Sequence, residues 1–339
     1  MDTLTHALSG ALLARATNPA KAPPNSLPRR VAAGFFACAA PDLDFVVGFL
    51  GPTAYIAQHR GVTHSLILLP LWALLYSWIL AKILREPRGW RALYAITAMG
   101  LALHIAGDLI TSYGTMVLAP FSAWRAGIGT TFIIDLWFSG IIVAGLVASL
   151  LARKSRIPSV AALALLAGYV GFQYVQKEKA IEFGSEYAKS KAMNDAQVTA
   201  QPRPPTPFNW TVFVSDERAQ HFSHINLVRQ EKKPYQPGDG FIARVDSPYL
   251  PLGQAVWVTR TRYGETDQEF IREAWNAEPM AVYRWFAALP AFDGLTRDPR
   301  CAFFVDLRFS TPGREGAPFR YGACRDGPDA PWRLQPPGG

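Results

Sequence analysis

The chain has 339 residues, half of them hydrophobic, and a formal net charge of +8. This length is sufficient for two domains, and three cysteines are too few for a disulfide-stabilised scaffold. No run of lysine and arginine with interleaved aromatic residues is present, so nucleic-acid binding is not expected.

Both the apolar runs and the basic excess lie before residue 177. Residues 1–176 contain 13 Lys and Arg against six Asp and Glu, whereas the remaining residues contain 21 against 20. Basic loops between apolar segments are a topology signal in membrane proteins. We therefore expect a membrane domain followed by a soluble one. A cleavable signal peptide is not expected, because Asp2 and His6 interrupt the N-terminus and no basic region leads it.

The first half predicts an α-helical membrane domain of about five to six hydrophobic helices. In chain order the apolar segments are 3–16, 31–50, 65–84, 92–118, 131–152 and 158–175. The first is short for a membrane span, and Pro41 predicts a break within the second.

Basic residues are concentrated in every second loop. They are frequent after segments one, three and five, whereas the intervening loops hold only Arg60 and Arg125. The positive-inside rule places the basic loops in the cytoplasm. The prediction is a multi-pass membrane protein with its C-terminal domain outside the cytoplasm, in the periplasm if the cell is Gram-negative.

Under that topology, the histidine and aspartate residues of this half lie at one depth in the membrane. Near the outer face lie His6, Asp42, Asp44, His59, His64, His104, Asp108 and Asp135. Of the acidic residues here, only Glu86 is expected in a cytoplasmic turn. Ionisable groups in membrane spans are costly and indicate function. A divalent cation is the simplest shared partner for buried carboxylates and imidazoles.

Their spacing predicts the ligands. His104 and Asp108 are four residues apart and share a helical face. Mixed histidine and aspartate ligation favours zinc, with manganese or iron as alternatives. An open coordination position would allow bound water to be activated near neutral pH. The predicted metal ligands are His6, Asp42, His64, His104 and Asp108.

Three further residues are predicted to be catalytic. Asp44 is expected to orient a ligand histidine or to act as the base, and His59 is expected to contact the substrate. Arg60 is expected to contact it as a fork for a phosphate or another oxyanion. Structural roles remain open: His64 capping a helix, Arg60 lying at the membrane interface, and Asp135 favouring a helix N-terminus.

These motifs resemble the bacterial membrane-bound metal-dependent hydrolase family of the YdjM type. The matching pieces are Asp2-x-x-x-His6, Pro41-Asp42-x-Asp44, His59-Arg60-Gly61-x-Thr63-His64-Ser65 and His104-x-x-x-Asp108. The resemblance covers residues 1–176 and implies an inner-membrane, metal-dependent hydrolase. The order of ligands is more distantly similar to zinc-dependent phospholipase C, although no histidine follows His104 in the membrane half.

The second half predicts an α+β domain with a mainly antiparallel sheet over residues 209–326. It follows a stalk and linker over 177–208 and precedes a disordered tail over 327–339. Strands are expected at 210–215, 221–228, 241–245, 255–261, 302–309 and 320–324, with a helix near 274–288. Cys301 and Cys324 can pair if this domain lies outside the cytoplasm. His221 and His224 are expected to be ordinary histidines.

The function predicted is a membrane-bound metal-dependent hydrolase acting at the outer face of the inner membrane. Its substrate would be a phosphoester or a lipid-linked molecule, and membrane lipid is an expected partner. Transport of an ion or proton is less compatible, because the cytoplasmic halves of the segments are almost purely apolar. The other alternative is a non-catalytic, membrane-anchored interaction protein with a structural metal site.

Overall fold

A computed structural model describes residues 1–23, 25–297, 299–312 and 316–337. The chain forms two compact units. The first, called the membrane unit, comprises Met1–Val47 and Gln58–Tyr174. The second, called the C-terminal unit, comprises Gly48–Ala57 and Val175–Gly339.

The membrane unit is helical. Its helices are α1 (Thr3–Ala16), α2 (Ser26–Ala39), α4 (Leu69–Ile83), α5 (Arg91–Leu109), α6 (Leu136–Leu151) and the first part of α7 (Ile157–Ser190), while α3 (Ala54–Gln58) falls mostly in the C-terminal unit. A 3₁₀ helix, Ala40–Leu50, continues α2, and another, Val62–His64, precedes α4.

Within the described residues, three helical segments are long and apolar enough to cross a membrane, namely Ser26–Leu50, Arg91–Leu109 and Ile157–Ser190. The pair Ala54–His64 and Leu69–Ile83 adds a fourth if its 83° bend lies within one span. The predicted count of five to six is therefore not confirmed. At 1.5 Å per residue, α1 and α6 are about 21 and 24 Å long, shorter than the roughly 30 Å hydrocarbon core.

Helix ends also differ from the predicted segments. The third apolar run becomes helical only at Leu69, because the backbone N–H of Leu66 bonds to the carbonyl of Val117. Helix α5 ends at Leu109, after which Thr115 and Ala126 pair in a short bridge. Helix α7 continues to Ser190, into the segment that was expected to form a helical stalk, so this part agrees with the prediction.

Two glycines bring α1 and α2 together. A Cβ atom on Gly10 or on Gly34 would overlap the backbone carbonyl of the other. Gly100 of α5 lies against the same region of α2, where an added Cβ atom would come within 3.3 Å of the Cβ of Ala37. Small residues allow membrane helices to approach at backbone distance. This packing brings the three helices together around the polar residues described below.

The C-terminal unit contains two sheets. The first has the order β1-β2-β3-β4, with β5 also paired to β3; its strands are Gln197–Pro202, Asn209–Ser215, Ala219–Asn226, Leu250–Pro251 and Trp257–Thr261. The second has the order β6-β7-β8-β9, with strands Pro290–Arg297, Arg300–Asp306, Tyr321–Arg325 and Arg333–Gln335. Every pairing except β3 with β4 is antiparallel, so the predicted antiparallel architecture is confirmed.

Several predicted elements of this unit require correction. The strand expected at 241–245 is helix α8, Phe241–Asp246, whose last residue turns a carboxylate into the interior. The helix expected at 274–288 is divided into α9 (Gln268–Asn276) and α10 (Ala281–Phe286), because Pro279 begins a new turn between them. Strand β1 lies inside the expected linker.

The expected disordered tail contains β9, which pairs with the edge of β8. The last two residues of that tail, 338 and 339, lie outside the described residues. Cys301 and Cys324 form a disulfide between directly paired positions of β7 and β8, with their Cα atoms 4.0 Å apart. The bond therefore joins neighbouring strands of one sheet.

Candidate metal centre

Four segments of the membrane unit supply the polar residues. Helix α1 begins after Asp2, whose carboxylate accepts the backbone N–H of Thr5, and carries His6 one turn further on. Helix α2 ends at Ala39 and passes into the 3₁₀ helix, so the break expected at Pro41 is present. The 3₁₀ helix Val62–His64 supplies His64, and helix α5 supplies His104 and Asp108.

Four side chains converge on one point. Asp42, His64, His104 and Asp108 each offer a ligand atom, and the four atoms lie within 4.8 Å of one another. His64 Nε2 lies 2.9 Å from His104 Nε2 and 3.1 Å from Asp108 Oδ2. Asp42 Oδ1 lies 3.6 Å from His104 Nε2 and 3.9 Å from His64 Nε2. Tetrahedral zinc with bonds of about 2.0–2.1 Å requires ligand atoms about 3.3 Å apart, and these distances lie on both sides of that value.

The cluster contains an orphaned carboxylate oxygen. Asp108 Oδ2 is buried and forms no hydrogen bond within the described part of the chain. A buried polar atom without a partner is costly. The ring nitrogens of His64 and His104 face each other at 2.9 Å, a separation at which two lone pairs repel unless a cation or proton lies between them. These residues therefore fit a metal ion.

Hydrogen bonds fix the orientation of both histidines. His104 Nδ1 donates to the backbone carbonyl of Cys38 at 2.6 Å, which leaves Nε2 as the nitrogen that offers a lone pair. The Thr63 hydroxyl donates to Asp44 Oδ2 at 2.7 Å, so His64 Nδ1, 2.9 Å away, donates to the threonine oxygen. His64 Nε2 is then also a lone-pair donor toward the cluster.

Asp44 lies beside the four ligand atoms rather than among them. Its Oδ1 is 2.5 Å from His59 Nδ1, and its Oδ2 also accepts the backbone N–H of Arg60 at 3.1 Å. The His59 ring stands edge-on to Tyr113, with centroids 5.3 Å apart. Asp44 therefore orients two histidines, His59 directly and His64 through Thr63.

Asp108 Oδ1 is surrounded by nitrogen atoms. Arg60 Nη2 lies 2.9 Å away, His6 Nε2 3.1 Å away and the Met1 nitrogen 2.6 Å away. The Arg60 guanidinium is buried, and its Nη1 also donates to Thr111 at 2.8 Å. The structure thus places Arg60, expected to contact substrate, against the carboxylate of Asp108.

His6, expected as a ligand, lies next to the four converging residues but is not one of them. Its ring stacks on His104 with centroids 3.8 Å apart, and it forms a separate group of donor atoms with Cys38 and His104. The Cys38 carbonyl and Thr63 were not among the predicted site residues. Thr63 lies inside the His59–Ser65 motif, whereas a backbone carbonyl leaves no signal in a sequence.

Asp135 lies in a different network. Its carboxylate caps α6 by accepting the backbone N–H groups of Trp137 and Phe138, and it also accepts from Tyr169 and Gln173. These hydrogen bonds match the role at a helix N-terminus that the sequence left open for Asp135.

The two histidines of the C-terminal unit have protein partners. His224 Nδ1 lies 2.9 Å from the Thr211 hydroxyl, which itself accepts from Arg203. Burial and the Arg203 charge lower the pKa of His224 to about 3, so the ring is neutral. His221 Nδ1 lies 2.9 Å from the Thr259 hydroxyl. Neither histidine belongs to a metal-type group among the described residues.

Comparison with known proteins identifies the membrane half. Residues 1–180 match the family model described as YdjM inner membrane protein. A relative in Bacillus subtilis (strain 168), the uncharacterized protein YfhP, is 28% identical over 137 residues, which are 40% of this chain and 41% of YfhP. The match thus spans about two fifths of that relative's length, and no solved structure matches. Because the family model covers more than half of the chain, this protein belongs to the YdjM inner membrane protein family.

Proposed function

We propose that this protein is a metal-dependent hydrolase of the inner membrane that cleaves a phosphoester or lipid-linked substrate at the outer face. The observation that carries the proposal is the convergence of four buried donor residues, one of which, Asp108, has a carboxylate oxygen without a hydrogen bond among the described residues. Such a group is costly in a membrane domain unless it binds a cation. Membership of an inner-membrane family supports the location.

Asp42, His64, His104 and Asp108 would hold the ion. Two imidazoles and two carboxylates favour zinc, with manganese or iron as alternatives. When bound, a divalent ion at this position would supply Lewis-acid polarisation of a phosphoryl oxygen and a lowered pKa for water. The protein's own contribution is the fixed orientation of both imidazoles, through the Cys38 carbonyl and through Thr63.

The pair formed by His59 and Asp44 is the proposed proton-transfer group. Because Asp44 accepts from His59 Nδ1, the lone pair of the neutral ring is on Nε2. A carboxylate bonded to the opposite nitrogen stabilises the imidazolium that forms when Nε2 takes up a proton. Arg60 acts indirectly, because its charge offsets the ligand carboxylate of Asp108.

The proposed topology has several spans and an extracytoplasmic C-terminal unit. Basic residues are concentrated in alternate loops of the membrane half. The Cys301–Cys324 disulfide also supports an extracytoplasmic C-terminal unit, because such bonds persist in oxidising compartments such as the periplasm.

Metal analysis combined with hydrolysis assays tests this proposal. Detergent-purified protein should contain bound zinc, manganese or iron, and should hydrolyse a panel of phosphoesters in a chelator-sensitive manner. His64→Ala and His104→Ala should lose both the metal and the activity. His221→Ala, a histidine outside the cluster, should keep both. Metal stoichiometry unchanged in the two cluster variants would contradict the ligand assignment. A bound metal without turnover of any ester would favour a non-catalytic protein with a structural metal site.

A further inference from the structure

A cavity of about 420 Å³ lies in the C-terminal unit. Strands β2, β3 and β5 of the first sheet contribute to its lining, and so do β6 and β7 of the second. Protein interiors leave few voids larger than a water molecule, and small-molecule sites have volumes of roughly 300–1,000 Å³. A cavity of this size between two sheets is therefore a candidate binding site.

One part of the lining is apolar. The rings of Phe213 and Phe222 have centroids 5.7 Å apart. Val305 and Leu307 belong to the same buried core cluster as Phe213. His224 lies beside Phe222, with ring centroids 5.5 Å apart, and its ring is neutral as described above. This surface offers an apolar group contact area without a charged side chain.

The other part of the lining is charged. Asp293 lies at a β-bulge, where the register of β6 on β7 shifts between Phe292 and Gly294; bulges re-aim side chains. Its Oδ1 accepts a hydrogen bond from Arg260 Nη1 at 3.0 Å, and its Oδ2 accepts one from Arg320 Nε at 2.7 Å. All three charged side chains line the cavity.

The two arginines retain donors for a ligand. Arg260 and Arg320 are 45% and 36% exposed. Among the described residues, each guanidinium donates one hydrogen bond, to Asp293, and a guanidinium carries five N–H groups. Arg320 Cζ lies 3.8 Å from the centroid of the Phe303 ring, which restricts the guanidinium plane. Two arginines against one carboxylate leave a positive charge, and arginine pairs with carboxylates and phosphates in a bidentate manner.

We infer that this cavity binds a small organic anion. Its carboxylate or phosphate would pair with Arg260 and Arg320, and its compact apolar body would contact Phe213, Phe222 and Leu307. The inference is independent of the proposed function, because every described lining residue belongs to the C-terminal unit, whereas the four metal-type donors belong to the membrane unit.

Titration calorimetry on the full-length protein in detergent tests the inference. The probes are two aromatic anions, 3-phenylpropionate and phenyl phosphate, with 3-phenylpropionamide as the neutral analogue and acetate as an anion without an apolar body. Wild-type protein should bind one of the aromatic anions about tenfold more tightly than the amide or acetate, the factor that a hydrogen bond to a charged group supplies. The tighter of the two aromatic anions identifies the acid class.

Substitutions of the charged residues should act in opposite directions. Arg260→Gln and Arg320→Gln should each weaken binding of that anion about tenfold and leave the amide unchanged. Asp293→Asn should bind the anion more tightly, because its carboxylate no longer competes for the arginines. Unfolding would not produce such a gain. Arg244→Gln is the matched control, since Arg244 is exposed on α8 and is not a lining residue; it should bind as the wild type does.

A variant of the metal centre separates the two sites. His64→Ala, which is expected to lose the metal, should still bind the anion, and loss of binding there would assign the anion to the metal centre and overturn the inference. Equal affinity for anion and amide, or an equal loss in Arg260→Gln and Arg244→Gln, would also overturn it. So would the absence of saturable binding of either aromatic anion at millimolar concentration. Thermal unfolding establishes that each variant is folded.

Discussion

Buried carboxylates in the two units differ in how their oxygens are satisfied. In the C-terminal unit, Asp246 accepts from Asn209 on Oδ1 and from Arg229 on Oδ2, and Asp306 receives the backbone and guanidinium N–H groups of Arg308. In the membrane unit, Asp108 has one oxygen surrounded by nitrogen donors and one without a hydrogen bond among the described residues. The first arrangement satisfies both carboxylate oxygens within the fold. The second leaves one oxygen of Asp108 available to coordinate a cation.

Paired substitutions of Asp108 and Asp306 should give the largest effect and the sharpest contrast. Asp108→Asn should lose the bound metal and all hydrolysis, because the amide removes a charged ligand and leaves Arg60 buried without its carboxylate. Asp306→Asn should destabilise the C-terminal unit by about 3–5 kcal/mol, because Arg308 loses its partner, while the metal stays bound. Metal content and thermal unfolding report the two effects. Metal retained by Asp108→Asn would remove the distinction between the units.

Replacing the residues beside the ligands should reduce turnover without removing the metal. Asp44→Asn and His59→Gln should each lower kcat by about 10²–10⁴-fold, the range for loss of a positioned proton-transfer group. The double variant should be scarcely worse than either single one, because the two residues act as a unit. Steady-state kinetics on metal-quantified protein measures this. Fully additive losses would show that the residues act separately.

The disulfide should matter to one unit alone. Cys301→Ser with Cys324→Ser should cost the C-terminal unit about 2–4 kcal/mol, because the unfolded chain is no longer cross-linked. Limited proteolysis of purified protein should show faster cleavage after residue 190, with the metal content of the membrane unit unaltered. Cys38→Ser serves as the control, since Cys38 is a free, buried cysteine. Equal protease resistance with and without the disulfide would contradict the prediction.

Acid should weaken the C-terminal unit through His224. Its pKa is about 3 in the fold because burial and Arg203 oppose protonation, whereas the unfolded side chain titrates near 6.5. The unfolded state therefore binds the extra proton first, and stability is lost as the pH falls below about 6.5 toward 3. The loss at pH 5 is about 2 kcal/mol. Unfolding of this unit at pH 7 and pH 5, compared with His224→Gln, measures it; an identical pH dependence in the variant would refute the assignment.

The sequence was sufficient to predict that histidine and aspartate residues of the membrane half would cluster, but not the direction in which each side chain points. The four-residue spacing of His104 and Asp108, and the break at Pro41, placed the cluster correctly near a common point. Spacing gave no means of deciding whether Arg60 points toward substrate or toward a carboxylate, because the chain turns through a positive φ at that residue. It also gave no sign that His6 would stack on His104 instead of joining Asp42.

Elements that depend on distant partners were predicted less well. Strand β9 lies in a segment rich in proline and glycine, and it is ordered by pairing with β8. Residues 241–245 suit a strand by propensity, yet helix α8 forms and turns Asp246 toward Asn209 and Arg229. Apolar length alone also gives no sign of the 83° bend between Ala54–His64 and Leu69–Ile83. In each case a tertiary contact overrode the local preference.

The glycine contact between α1 and α2 has a consequence for the positions of His6 and His104. Gly10 lies one turn after His6, and Gly34 lies one turn before Cys38, whose carbonyl accepts a hydrogen bond from His104. Main-chain atoms already touch there, so the two helices cannot approach more closely. Any side chain at Gly10 would push them apart and separate the stacked rings of His6 and His104. The spacing of that ring pair is therefore set by backbone thickness, a dimension that repacking of neighbouring side chains does not adjust.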